Sequence, residues 1–145
     1  MTNQNKKPSP LLLIVDVQRA FINQQTLGML PVIGDLMRQY PNIAATQFHD
    51  RLHSNYVRLL DWRECFQEDE GHALALRLPE DTLVIKKDTY NGFTTALRDH
   101  LFRLRIYEVH LCGMDTDACI LATALSIFDA GLRPVVLANA CSSSG

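Results

Sequence analysis

The sequence predicts an α/β domain built on a mostly parallel sheet, and three observations carry that reading. Leu11 to Val17 (LLLIVDV) is almost continuously apolar, the pattern of a strand buried on both faces. Further short apolar runs then alternate with segments of helical spacing, the rhythm of strands joined by crossovers. The 145 residues, 47% hydrophobic and 21% charged, suffice for one compact domain with a real core.

Taken in order, residues 1–10 read as a disordered lead-in, polar and holding two prolines, and 11–145 as a single domain. After the first strand comes a loop. Pro31 then opens a short helix (PVIGDLMRQY) that Pro41 ends. Ile43–Phe48 (IAATQF) is the second strand. Residues 49–66 are polar and aromatic and read as a long structured loop, and 67–78 as weakly helical. Thr82–Lys86 (TLVIK) is the third strand. Phe93–Leu104 has apolar residues at helical spacing, and Tyr107–Cys112 (YEVHLC) is the fourth strand. Thr116–Ala130 is a strong helix stopped by Gly131, and Pro134–Ala138 (PVVLA) is the fifth strand. Only a few residues, ending in CSSSG, follow the last strand, where a further crossover is expected. The reading is therefore a sheet with C-terminal elements missing, or one whose open face a partner subunit covers.

Fourteen Lys and Arg against sixteen Asp and Glu leave a formal charge of −2. That predicts no nucleic-acid or membrane partner. The apolar run after the polar start is too short for a secretory signal or for a span of about 20 residues, so a cytoplasmic protein is expected. The cysteines, Cys65, Cys112, Cys119 and Cys141, form no CxxC pair. Zinc ribbons and thioredoxin-type chemistry are therefore not expected.

Open parallel sheets bind ligands beyond the carboxyl ends of their strands. Three capable residues fall there: Asp16 after the first strand, Lys86 or Lys87 after the third, and Cys119 just past the fourth. A carboxylate within an apolar strand is expensive unless paired or functional. Asp115 or Thr116 can cap the helix, which places Cys119 near the positive end of its dipole, where a thiol pKa falls. Asp115 and Asp117 oppose that shift, and a nearby lysine would offset them.

Four segments resemble the isochorismatase-like cysteine hydrolases, a superfamily that includes nicotinamidases, carbamoylsarcosine amidohydrolases and isochorismatases. Leu12–Phe21 (LLIVDVQRAF) is similar to the family's first strand with its aspartate. Lys87–Phe93 (KDTYNGF) resembles its lysine segment, and the spacing to Phe93 selects Lys87 over Lys86. Gly113–Thr123 (GMDTDACILAT) resembles the nucleophile segment G-x-x-T-x-x-C-V-x-x-T, with Ile120 for valine. Asp129–Ala140 is similar to the strand that follows, with Asn139 where aspartate is common.

The resemblance implies a three-layer, doubly wound, Rossmann-like sheet and the roles of the site residues. Cys119 would be the nucleophile, Asp16 the general base, and Lys87 the cation that holds Asp16 ionised and stabilises the thiolate. The backbone N–H groups of Asp115 and Cys119 would form the oxyanion hole, shaped by a cis peptide at Met114–Asp115. A homodimer or larger homo-oligomer is the family habit. Phe21, Trp62, Tyr90 and Phe93 are candidates for an aromatic substrate pocket.

One departure concerns metal. Nicotinamidases carry T-x-D-x-H after the second strand, whereas this chain reads Thr46-Gln47-Phe48-His49-Asp50. Phe48 stands at the carboxylate position and Asp50 at the histidine position. His49 and His53 remain, but no metal cofactor is expected. The leading expectation is a metal-independent cysteine hydrolase of a small amide or N-carbamoyl compound. A vinyl-ether hydrolase using Asp16 as acid, and a catalytically silent subunit of the same fold, are the alternatives.

Overall fold

The computed structural model describes residues 6–145. Of the expected lead-in, residues 1–5 lie outside the described residues, and 6–10 form irregular, largely exposed backbone. Five strands form one all-parallel sheet in the order β3-β2-β1-β4-β5. They are β1 (Leu11–Val15), β2 (Asn42–Phe48), β3 (Leu83–Lys87), β4 (Glu108–Met114) and β5 (Arg133–Ser142). The helices are α1 (Met29–Met37), α2 (Asn55–Leu60), α3 (Thr95–Leu104) and α4 (Leu121–Asp129).

The alternation of side chains along a strand divides the core into two layers. Leu11, Leu13 and Val15 of β1 face α3 and α4, where they meet Leu97, Leu101, Ile120 and Ile127. Leu12 and Ile14 face the opposite side, where they meet Ile33 of α1. All five residues of β1 are buried, which is why its sequence is apolar without alternation. The helices on both faces give the three-layer, doubly wound architecture.

Four expectations need correction. The first strand ends at Val15, not Val17, because Asp16 takes a positive φ of 48° and leaves the ladder. Residues 67–78 are not helical. A single turn at Glu70–His72 leads into an extended segment, and Ala75, Leu76 and Leu78 pack on the α1 face. Residues 49–66 include α2, whose first turn is capped by the Ser54 side chain accepting from Val57 N. The fifth strand runs to Ser142, well past Ala138, and among its residues only Ala140 is buried.

Among the described residues no helix is long and apolar enough to cross a membrane.

The turn that leaves β4 depends on Gly113. Its φ is +119°, and a Cβ there would stand 2.2 Å from the Val15 carbonyl oxygen of the paired strand. No side chain can give way, since the clash is with backbone. Gly113→Ala should therefore cost more than about 3 kcal/mol in urea denaturation. Gly34 in α1 is the control. Nothing lies within 4 Å of its would-be Cβ, so Gly34→Ala should gain about 0.5–1 kcal/mol.

Candidate active site

β1 lies between β2 and β4, and the chain winds away from it in both directions. The carboxyl ends of β1 and β4 therefore open a crevice, the place where doubly wound sheets hold ligands. Asp16, the first residue beyond β1, stands in it and is fully buried. Thr46 of β2 fixes it from two sides. Its hydroxyl accepts from Asp16 N at 3.1 Å and donates to Asp16 Oδ1 at 2.7 Å.

Lys87 is the last residue of β3, and its ammonium is almost completely buried. Nζ lies 2.7 Å from Asp16 Oδ2, donates to the Thr89 carbonyl at 2.7 Å and lies 3.4 Å from Cys119 Sγ. The Phe48 ring stands 5.1 Å from the same ammonium. Lys86 points the other way and is exposed, so the strand's alternation selects Lys87. Burial pulls the Lys87 pKa down. The Asp16 carboxylate and Cys119 outweigh it, so the ammonium is held charged beyond the usual lysine range.

The loop after Lys87 is tied to α4. Thr123 Oγ1 accepts from Gly92 N at 2.8 Å, and a Cβ on Gly92 would press on Thr46, Thr123 and the Lys87 stem. The carbonyls that cage the ammonium are thereby anchored to the helix that follows Cys119.

Cys119 does not sit in the first turn of a regular α-helix. Thr116–Ile120 form a wider turn, closed by Ile120 N donating to the Asp115 carbonyl, and α4 starts only at Leu121. The Asp115 side chain does not cap this turn. It accepts instead from the Ser144 backbone N at 2.8 Å and hydroxyl at 3.0 Å. The peptide Met114–Asp115 is cis. The Cys119 thiol is 8% exposed, and its pKa is pushed well above the ordinary range. Burial is the main cause and the Asp16 carboxylate the second, while Lys87 pulls only partly the other way. The helix-dipole expectation of a lowered thiol is thus overturned by desolvation and a neighbouring anion.

A cavity of about 340 Å³ opens onto Cys119. Phe21, Trp62 and Tyr90 line it, with Phe21 and Trp62 stacked at 5.8 Å and 7° between planes. Phe93 does not line it; it packs against the α3/α4 core layer. The aromatic-pocket expectation is corrected there. Phe48 and Tyr56 take part instead, edge to face at 5.0 Å. Tyr56 comes from α2, whose only sequence signal is Ser54 three residues before Val57. Asp115 and Cys119, the expected oxyanion donors, both line the cavity.

The donor set does not fit a catalytic metal. Phe48 offers an aromatic face where a carboxylate would be needed, and it is buried among Tyr56 and Trp62. His49 packs edge to face on His72, 5.4 Å away, and lines a separate polar cleft with Arg51 and Lys86. Among the described residues no group of three His, Cys, Asp or Glu side chains is placed to hold an ion.

The raised thiol predicts a pH response. Below its pKa Cys119 is protonated, so its alkylation by iodoacetamide should keep rising above pH 9 instead of levelling there. Asp16→Asn removes an anion that raises the pKa, so labelling at a given pH should become faster. Peptide-mapping mass spectrometry reads Cys119 separately from the other three thiols. A wild-type plateau below pH 8 would mean a preformed thiolate with no need of a base.

A family model described as an isochorismatase domain matches residues 10–145. Isochorismatase domain-containing protein 2A of Mus musculus is 49% identical over 139 residues, 93% of this chain and 60% of that protein. The chain therefore spans well under two thirds of that relative's length. Among solved structures, the zinc complex of a pyrazinamidase from Pyrococcus horikoshii is 26% identical, with a TM-score of 0.84 over 95% of this chain and 88% of that one. N-carbamoylsarcosine amidase from Thermoplasma acidophilum shares the fold, at 23% identity and a TM-score of 0.81 over 92% and 84% of the two chains. With its sheet order, its crevice and a match over residues 10–145, the chain belongs to the isochorismatase family.

Proposed function

We propose that this chain is a metal-independent cysteine hydrolase that cleaves a small amide or N-carbamoyl compound. The observation that carries the reading is the buried contact chain Asp16–Lys87–Cys119, at 2.7 and 3.4 Å, facing an aromatic cavity. The likeness to proteins named as a pyrazinamidase and an N-carbamoylsarcosine amidase supports amide chemistry.

In this reading Cys119 Sγ attacks the carbonyl carbon as its proton passes to Asp16. The C=O electrons move onto oxygen, and the backbone N–H groups of Asp115 and Cys119 hold the oxyanion. Collapse breaks the C–N bond, and Asp16 returns the proton to the leaving nitrogen. A water, deprotonated by Asp16, then splits the thioacyl bond and restores the thiol. Lys87 supplies the positive charge that both Asp16 and the sulfur face. A vinyl-ether hydrolase would need the acid but no thiol, so the buried Lys87–Cys119 contact favours the amide reading. We further propose a homo-oligomer, supported by the apolar stripe of α4: Leu121, Leu125 and Phe128 are 50%, 56% and 67% exposed.

A screen of small amides for ammonia release should find turnover that Cys119→Ala abolishes. Asp16→Asn and Lys87→Ala should each lose at least about 100-fold in kcat, since such groups act as a unit. Lys87→Ala should also destabilise by about 3–5 kcal/mol, because it strands the buried Asp16 charge. Lys86→Ala should leave kcat nearly unchanged; a loss there larger than at Lys87 would refute the assignment.

Activity should survive exhaustive dialysis against a chelator, with no stoichiometric metal by elemental analysis. About one zinc or iron per chain, with activity lost on chelation and restored by metal, would overturn the metal-independent reading.

A further inference from the structure

The charge of the cavity lining carries information that its shape does not. Five aromatic rings surround the space before Cys119: Phe21, Phe48, Tyr56, Trp62 and Tyr90. None of the residues lining it is Lys, Arg or His, and two are aspartates, Asp115 and Asp117. Among the described residues neither of these carboxylates meets a cation. Asp115 accepts from Ser144, and Asp117 Oδ1 accepts from the Ser143 hydroxyl at 2.8 Å. The one ammonium nearby, Lys87, is 5% exposed and already neutralised by Asp16.

A carboxylate-bearing ligand would enter this space against two negative charges, with no donor fork to receive it. A cation would meet aromatic faces, whose quadrupoles attract it, and an acidic rim. We propose that the cavity selects a flat, cationic organic ligand, an amide carrying a quaternary or protonated nitrogen, and rejects carboxylates. The proposal rests on the reading that this cavity is the substrate site. It separates the chain from any relative whose substrate is an organic acid.

Three probes of one ring test it: 1-methylnicotinamide (cation), nicotinamide (neutral) and nicotinate (anion). Binding to the full chain carrying Cys119→Ala is read by calorimetry and by quenching of Trp62, the only tryptophan in the chain. The cation should bind about fivefold tighter than the neutral ring, the gain of one partly exposed cation–π contact. Nicotinate should bind at least about tenfold weaker than the neutral ring. Asp117→Asn should lower the cation-to-neutral ratio without abolishing it, since the aromatic faces and Asp115 remain, and raised salt should shrink it. Equal affinities, tightest binding of nicotinate, or no binding of any probe by a protein with a native melt would overturn the proposal. Hydrolysis of amides without charge preference would sink this inference alone. Cation binding without hydrolysis of any amide by the wild type would sink the hydrolase reading and leave this inference standing.

Discussion

Everything at the site depends on the buried ion pair between Asp16 and Lys87, whose side chains are each 1% exposed. Removing two charges from water costs several kcal/mol per ion, and attraction alone repays that only with good geometry and satisfied hydrogen bonds. Here most of the remaining valences are met, with Oδ2 facing the ammonium alone. Thr46 donates to Oδ1, while the Thr89 carbonyl and Cys119 sulfur receive the ammonium. Those partners come from β2, from the loop after β3 and from the turn before α4. The pair is thus tolerable only if three strand ends are in register. Val15 pairs with Thr46, and Phe48 with Lys87. A slip of one residue in β3 would turn Lys87 to the other face and bring Lys86 in.

The same strand ends build the cavity wall. Where the β1–β2 ladder stops, Gln18 continues it with a side chain. Its amide nitrogen donates to the Phe48 and His72 carbonyls at 2.9 Å each, and its oxygen accepts from Phe48 N at 2.8 Å. That clamp holds Phe48 with its ring between Lys87 and the aromatic cluster. It also ties the Glu70–His72 turn to the sheet. One buried glutamine, two residues after Asp16, therefore couples the ion pair to the shape of the pocket. A metal-binding carboxylate at Phe48 would need a different wall.

What could be read from the sequence was what local chemistry decides. All five strands were legible as short apolar runs, β1 most plainly because it is buried on both faces and so has no alternation. Asp16 and the Lys86/Lys87 pair stood out because charge at such a strand end demands a reason, and the family resemblance chose Lys87 of the two. What could not be read was decided by distant contacts. The segment 73–78 lies extended because Ala75, Leu76 and Leu78 find the α1 face, and no periodicity announces that. α2 is only six residues long, too short to stand without its packing, and so Tyr56 was missed. Phe93 and Phe21 look alike in sequence; tertiary packing puts Phe93 against the core and Phe21 in the cavity wall. The helix dipole was a sound local argument for an acidic thiol, and burial beside Asp16 defeats it.

That defeat has a chemical logic. A resting thiolate beside the Asp16 carboxylate would put two anions against one ammonium in a site that excludes water. With the thiol protonated, the site holds one anion and one cation. In the proposed mechanism the proton moves from sulfur to Asp16; the site would then still hold one anion and one cation, the negative charge having only changed neighbours on Lys87. The ammonium already stands 2.7 Å from the carboxylate and 3.4 Å from the sulfur, so no group must travel to follow the charge. On the proposed reading, the nucleophile would therefore be formed within a buried site at little electrostatic cost, as the substrate arrives, without being stored there beforehand.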